Sequence, residues 1–371
     1  MHTTTITPGI RRGRRATLSA AAAVAALATL AWPAVRAYAS AKASGPTLVV
    51  YSAQGYDSAV VTAFNKTNPG FTVTLNDNST GPLLQQIQAE GSHPKWGVLW
   101  VDGSQAFAAL DRQGKLLRGI VPKVPFNVVG RANIARDGSF VPTGLTATGA
   151  LVYDSSQISA AKLPKTWADL LKPEYAHMLG MNDPTQSGPT YPLIAGLMNY
   201  LGHYTHGSTA AAVKAGEAYF AKLKHNGLVI NATNGPTLGA IQSHTIAMAI
   251  IQSSAGYGAE ISTSPTMRVA YLNPVTALPG TIGIDRLMPV TVQKEARRFV
   301  DYVLSPAGQH VMQTGDPQGD SLFWPVLEGE TPANKVIPAL ASVPMQTTNP
   351  YVWGPLENQI NAWFTKNITN G

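Results

Sequence analysis

The chain of 371 residues contains no cysteine. That absence excludes disulfide bridges, a thiolate metal site and a thiol nucleophile, and it leaves nothing to carry a cysteine-linked lipid. Charge is also scarce, at 13% of residues, while 44% are hydrophobic. That balance fits well-covered sheets in a compact α/β protein. The formal charge of +7 looks basic, but most of it is local. Arg11, Arg12, Arg14, Arg15 and Arg36 all precede Ala39, and no acid does. Without them the chain holds 22 basic and 20 acidic residues, a formal charge of +2. No nucleic-acid motif is present, so nucleic acid is not an expected partner.

The basic head is followed by a charge-free run from Ala16 to Val35, then by small-x-small sites at Ala37-Tyr38-Ala39 and Ala39-Ser40-Ala41. In that order these features predict a cleaved signal peptide over residues 1–41, with the mature chain beginning near Ser40 or Lys42. Arg14-Arg15 before Ala16-Thr17-Leu18 is similar to a twin-arginine signal, with Thr17 where an aromatic residue is usual. The alternative is an uncleaved anchor, since the run is long enough to span a bilayer. It is, however, mostly Ala and is interrupted by Pro33. The roughly 330 residues that remain exceed what one core usually organises, so two lobes are expected.

Beyond the signal, strand and helix patterns alternate. Leu48–Ser52 reads as a strand, and Val60, Val61 and Phe64 mark a helix stopped at Asn68-Pro69-Gly70. A strand at 71–75, a helix at 82–90, a strand at 98–101 and a helix at 104–112 follow. The alternation resumes with a strand at 179–182, helices at 189–202 and 209–226, and strands at 228–231, 246–252 and 267–273. Such alternation predicts parallel sheets with right-handed crossovers. Two extended stretches, Val141–Asp154 and Leu272–Gly283, read as passages between lobes, with crossings near Thr146 and Pro274. Helices at 291–304, 306–314 and 355–366 then have no third lobe to build. The expected division is residues 44–144 plus 280–371 in lobe 1 and 145–279 in lobe 2.

One tripeptide recurs between strand and helix, as Thr80-Gly81-Pro82, Ser187-Gly188-Pro189 and Asn234-Gly235-Pro236. The polar residue suits a helix cap, glycine lets a ligand approach the main chain, and proline fixes φ at a position needing no donor. The free N–H groups just beyond, with the helix dipole, attract an anion. In open α/β sheets such turns lie at the carboxyl ends of strands, where ligands bind. The plain alternative is good helix-start chemistry without a ligand.

Several stretches match one family in order. They are Leu48-Val49-Val50-Tyr51-Ser52-Ala53-Gln54, Ser79-Thr80-Gly81, Ala89-Glu90-Gly91, Pro94-Lys95 and Val98-Leu99-Trp100. Further on come Leu151-Val152-Tyr153, Pro164-Lys165-Thr166-Trp167-Ala168-Asp169-Leu170-Leu171, Asp183-Pro184 with Ser187-Gly188, and Phe299-Val300-Asp301-Tyr302-Val303-Leu304-Ser305. From about 47 to 325 the chain resembles the ferric-ion-binding and 2-aminoethylphosphonate-binding proteins of ABC importers. The resemblance implies an α/β, two-lobe clam-shell of the type II periplasmic-binding-protein kind, with two crossing strands. It also implies delivery of a small-molecule ligand to an ABC permease in the inner membrane. With no cysteine for a lipid anchor, a periplasmic location is expected, and a monomer.

Ferric members, by that resemblance, use adjacent tyrosines after a late strand of the second lobe, with His and carboxylate help from the first. Here the loop reads Ser253-Ser254-Ala255-Gly256-Tyr257, and the opening loop Ser52-Ala53-Gln54-Gly55-Tyr56 supplies no His or Glu. Fe³⁺ prefers hard anionic oxygens. Neutral hydroxyls, amides and N–H groups suit a phosphonate, phosphate ester or other oxyanion better. Where the family often has Ala-Asp before Val-Leu-Trp, this chain has Trp96-Gly97, so Asp102, Tyr56 and Tyr257 are left to meet an ammonium group or sugar hydroxyls. The expected ligand residues are Ser52, Gln54, Ser79, Thr80, Asp102, Ser187, Gly188, Thr190, Asn234 and Tyr257, with no metal, cofactor or catalytic group. The alternatives are a ferric-ion-binding protein of the same fold, and a secreted hydrolase or transferase. For the latter, Gln252 replaces the first glycine of G-x-S-x-G. Ile261 fills the last glycine position of a dinucleotide loop, and His203-x-x-His206 lacks a matching acid for zinc.

Overall fold

The computed structural model describes residues 46–371; the predicted signal segment lies outside the described residues. Three βα units open the fold: β1 (Thr47–Ser52) and α1 (Asp57–Lys66), β2 (Thr72–Asp77) and α2 (Thr80–Glu90), β3 (Val98–Asp102) and α3 (Gln105–Arg112). A short α4 (Val128–Ala132) precedes the long β4 (Phe140–Asp154). Then come β5 (Leu179–Asn182), α5 (Thr190–Leu201), α6 (Ala210–His225), β6 (Val229–Asn231), α7 (Asn234–Gln242), β7 (Met248–Gln252) and α8 (Ser253–Gly258). The 18-residue β8 (Met267–Ile284) leads to α9 (Val290–Val303), α10 (Pro306–Gly315), β9 (Met345–Gln346), α11 (Pro350–Trp353) and α12 (Glu357–Phe364).

The strands form one mixed sheet in the order β2-β1-β3-β8-β4-β7-β5-β6, with β9 on β8. β1 pairs in parallel with β2 and β3, and β5 in parallel with β6 and β7. The two parallel groups meet through β4 and β8, which run antiparallel to each other over nearly their whole lengths. Helices flank this sheet, as the doubly covered pattern of the sequence requires.

Two cores result. The first holds Val60 and Phe64 of α1, Val98 and Trp100 of β3, and Phe299, Val300 and Val303 of α9. In α9 the apolar residues fall at Ala296, Phe299, Val300 and Val303, an i, i+3, i+4, i+7 stripe that meets the sheet. Phe299 stands edge-on to Phe64 at 5.3 Å and 87°. The second core holds Leu151, Trp167, Met181, Ile194, Phe220 and Ile250.

β4 passes from the first core to the second around Gly149. The register there shifts from Thr148↔Thr276 to Ala150↔Tyr271, so β8 bulges by Leu272–Val275 against the single Gly149. Gly149 has φ +84°, a value that a β-carbon disfavours, and its neighbours Leu193 and Trp167 leave no room for one. Trp167 Nε1 donates to the Pro274 carbonyl at 2.8 Å and ties the second core to this junction.

The chain crosses a third time, beyond the two passages that the resemblance implies. β9 pairs with Val275 and Thr276 of β8, and Gln346 Nε2 donates to the Gly196 carbonyl of α5 at 2.8 Å. Beyond it, Trp353, Ile360, Phe364 and Ile368 are buried in the second core. The expectation that the final helix returns to the first lobe is therefore corrected. Its amphipathic stripe marked a buried face without saying which core would cover it. Among the described residues, no helix is long and apolar enough to cross a membrane.

Candidate functional site

The carboxyl ends of β1, β3, β5, β6 and β7 converge where the two cores meet. A small cavity of about 170 Å³ opens there. It is lined from the first lobe by Ala53, Ser79, Thr80, Asp102 and Asp320. From the second it is lined by Gln186, Ser187, Gly188, Pro189, Thr233, Asn234, Gly235 and Gln252. All three tripeptide turns thus reach one space.

The helix starts differ in detail from the sequence reading. α2 and α7 begin at the polar residue itself, with Ser79 and Thr233 in the cap positions and no side-chain cap bond. Proline sits at the third helical position of each, where its missing N–H still costs no intrahelical bond. In α5, Pro189 itself is the cap. The amides of Thr80, Gly81, Gly188, Asn234 and Gly235 have no acceptor among the described residues. Thr80 is 6% exposed, and among the described residues its hydroxyl has no partner either.

Close approach explains two of the glycines. A β-carbon at Gly81 would fall well under 3.0 Å from the Thr185 carbonyl, and one at Gly188 would collide with the Thr80 side chain. The first and third turns differ here, because nothing lies within 4 Å of a β-carbon at Gly235. The Gly81–Thr185 and Thr80–Gly188 contacts join the lobes directly.

Of the two acids at the site, the sequence pointed to Asp102 and concealed Asp320. Asp102 accepts from Gln54 Nε2 at 3.1 Å and from Gln252 Nε2 at 3.0 Å, one glutamine from each lobe. Tyr56 OH donates to Gln54 Oε1 at 2.5 Å and fixes that amide. Asp320 accepts from the Gly55 amide at 2.8 Å and from Ser254 Oγ at 3.4 Å. Each acid opens onto the cavity, yet dense protein around it strips most of the solvent. Burial first, and the Asp320 charge second, hold the Asp102 carboxyl well above its usual range. Burial likewise raises Asp320, with Asp316 adding repulsion. Among the described residues, no Lys, Arg or His lines the cavity.

Of the expected ligand residues, Ser79, Thr80, Asp102, Ser187, Gly188 and Asn234 line this space. Ser52 and Gln54 lie behind it: Ser52 accepts from the Gln54 amide at 3.2 Å, and Gln54 reaches the cavity only through Asp102. Thr190 is buried in the first turn of α5 and does not line the cavity. Tyr257 is corrected too. It is 2% exposed, its ring stands edge-on to Trp324, and its hydroxyl bonds that of Tyr271. The short α8 follows β7 without a loop, and that turns Tyr257 into the packing instead of the cleft. Asp320, Gln252, Gln186 and Thr233 were not foreseen.

Beyond the Thr80–Gly188 contact lies a wider groove of about 820 Å³ between α2, α3 and the chain from Gly354 to Asn370. Glu357, Asn361 and Thr365 fall one helical turn apart along it. Burial pushes the Glu357 carboxyl up to about 7. Asn361 Oδ1 and Thr365 Oγ1 are buried without partners among the described residues. The groove shares only Thr80 and Gly188 with the smaller cavity, which holds the acid pair and the free amides of Thr80, Gly188, Asn234 and Gly235.

Among the described residues, no three His, Cys, Asp or Glu side chains are grouped to hold a metal ion. Ser253, the serine nearest a nucleophile position, is fully buried and accepts from the Ala147 amide at 3.1 Å.

Comparison with known proteins places this geometry. The family model for bacterial extracellular solute-binding proteins matches residues 51–310. The Fe(3+)-binding periplasmic protein of Serratia marcescens is 25% identical over 288 residues, covering 75% of this chain and 79% of that protein. AfuA from Actinobacillus pleuropneumoniae, solved with fructose-6-phosphate, gives a TM-score of 0.71 at 17% identity, over 88% of this chain and 99% of that one. Iron-bound HitA from Pseudomonas aeruginosa gives 0.69 at 20% identity, over 86% and 99%. At these identities the solved structures establish the type II periplasmic-binding-protein fold and nothing finer. The family match covers well over half of the chain, which therefore belongs to the bacterial extracellular solute-binding proteins.

Proposed function

We propose that this chain is the periplasmic receptor of an ABC importer, and that it closes its lobes around a small solute with anionic oxygens. The observation that carries the reading is the meeting of three helix starts, with unpaired amides, in one inter-lobe cavity. Hydroxyls of Thr80 and Ser187, one from each lobe, extend that set of donors. Oxygens bonded from both lobes would hold the closed form, so capture needs no resident metal. At about 170 Å³ the cavity is smaller than the roughly 300 Å³ at which drug-sized pockets begin, so the solute is short. Its expected role is capture and delivery to a membrane permease, without turnover.

A thermal-shift panel of inorganic phosphate, ethyl phosphate, ethylphosphonate and O-phosphoethanolamine tests the reading. A hydrogen bond to a charged group contributes about 1.5–3 kcal/mol, and about 1.4 kcal/mol is ten-fold in affinity. Thr80→Ala or Ser187→Ala is therefore expected to weaken the best panel member about ten-fold or more by calorimetry, with little change in ligand-free melting. Parent-like binding by both variants would reduce the turns to helix-start chemistry.

The ferric relative gives iron a specific claim, and the tyrosines weigh against it. Tyr257 and Tyr271 do form a hydroxyl pair, but neither lines the cavity. Burial raises both, Tyr271 to about 12 and Tyr257 further, whereas iron ligation requires phenolate. With Fe³⁺ and citrate the protein is expected to stay colourless. A visible charge-transfer band would restore the iron reading.

A further inference from the structure

We infer that the end of the first lobe remote from the cavity docks on an anionic lipid bilayer, through a basic face from which apolar side chains protrude. The inference goes beyond solute capture and does not depend on which solute the cavity takes.

The cavity lies at the carboxyl ends of β1 and β3. Their amino ends, on the opposite side, gather the segments 66–71, 90–97, 112–121, 136–138 and 285–298. β8 ends there with Ile284 against Val98, and β4 begins there with Phe140 against Gly283. Hydrogen bonds join these segments into one face. The Asp285 amide donates to the Gly97 carbonyl at 3.0 Å, and Arg286 Nε to that of Gly114 at 2.6 Å. Arg297 donates to the Gly119 carbonyl at 2.6 Å, and Arg298 to that of Pro69 at 2.8 Å. The five segments hold ten Lys and Arg against four Asp and Glu, while the rest of the chain beyond Ala39 holds twelve against sixteen. A near-neutral total thus conceals a strong polarity. Of the four acids, Asp285 is fully buried and Asp137 is paired with Arg118 at 2.8 Å. Among the described residues, no other Lys or Arg of this face forms an ion pair. On the same face Val290 is 65% and Leu287 46% exposed.

These side chains suit a lipid surface better than a folded acidic partner or a nucleic acid. The guanidinium groups of Arg286, Arg297 and Arg298 are bonded to main-chain carbonyls. A carbonyl holds the fork in place but leaves its charge, so the face offers a diffuse field more than free bidentate donors. Anionic headgroups answer such a field from any direction, and each basic residue near them adds to the attraction. Leu287 and Val290 gain burial by entering the headgroup layer, which a phosphate backbone or an acidic protein surface does not give them. Docked this way, the protein holds its cavity away from the bilayer.

Sedimentation of the full mature chain with sucrose-loaded vesicles tests this, using phosphatidylcholine alone and phosphatidylcholine with one-third phosphatidylglycerol. Partition onto the anionic vesicles is expected to be at least about a hundred-fold higher, and to fall as KCl is raised. Among the described residues, the side chains of Lys66, Lys95 and Lys294 make no hydrogen bond or ion pair. The triple variant Lys66→Gln, Lys95→Gln, Lys294→Gln should therefore melt like the parent. It is expected to lose about a hundred-fold in partition, about five-fold per charge. Lys162→Gln, Lys214→Gln and Lys222→Gln make the same charge change on the second lobe and should bind within about three-fold of the parent. Leu287→Ser with Val290→Ser should cost about ten-fold without altering the slope against KCl. Equal partition onto the two vesicles, equal losses in the two lysine triples, or parent-like binding by the serine pair overturns the inference. So does binding to polyglutamate or duplex DNA without binding to vesicles, which would give this face a protein or nucleic-acid partner.

Discussion

Trp353→Ala is expected to destabilise the protein by about 3–5 kcal/mol, the usual cost of emptying a large aromatic site in a packed core. Trp353 is fully buried, although it lies only 18 residues from the end of the chain. Its indole Nε1 donates to Asn199 Oδ1 at 3.3 Å, and Tyr204 stands edge-on to its ring at 5.9 Å. Tyr191 of α5 donates to its backbone carbonyl. These partners belong to the second lobe, and Ile360, Phe364 and Ile368 continue the same contact along the tail. The substitution should therefore loosen the second lobe first. Denaturant unfolding followed by far-UV circular dichroism would measure the loss. A change under about 1 kcal/mol would mean that the tail merely lies against the second core.

That packing also shows where the sequence stopped being informative. The βα alternation from β1 to α3 was legible because strands buried on both faces and helices with one apolar stripe leave different periods. The tail has a helical stripe too, but a stripe names a buried face and not its partner. The three Gly-Pro turns were legible as facing a common cavity because strand ends and helix starts have a fixed place in α/β sheets. Their second purpose, holding the lobes together, depends on Thr185 meeting Gly81, and that is a fact of docking. Asp320 sits in Asp316-Pro317-Gln318-Gly319-Asp320, a run that reads as a solvated turn. Its loop packs close against α8, where a β-carbon on Gly258 would collide with the Gln318 carbonyl, and the Gly55 amide also holds Asp320 in place. Gln252 was legible only as the residue that spoils a hydrolase motif. Tyr257 misled because an aromatic after a strand end suits packing and ligand contact equally well.

Gly81→Ala should abolish tight binding while leaving the fold as stable as before, or slightly more so. Gly81 lies in the first turn of α2, where alanine is the better helix former by up to about 1 kcal/mol. Its φ is not in the left-handed region, so the backbone accepts the change without strain. The obstacle is across the lobe junction, where the new methyl would meet the Thr185 carbonyl oxygen well under 3.0 Å away. A backbone carbonyl cannot swing aside as a side-chain tip does. The turns must separate until ordinary contact at 3.4–4 Å returns, and the Thr80–Gly188 contact is pulled apart with them. A solute bonded from both lobes then loses the donors of one. Two charge-assisted bonds at about 1.5–3 kcal/mol each correspond to at least about a hundred-fold loss. Gly239→Ala is the control, since the same change further along α7 also meets open space and lies outside the cavity lining. It should bind within about three-fold of the parent. Calorimetry with the best-bound oxyanion gives the affinities, and small-angle scattering with and without it shows whether the lobes still close. Compaction of Gly81→Ala to the parent's ligand-bound size, at parent affinity, would show that these turns do not need to touch for capture.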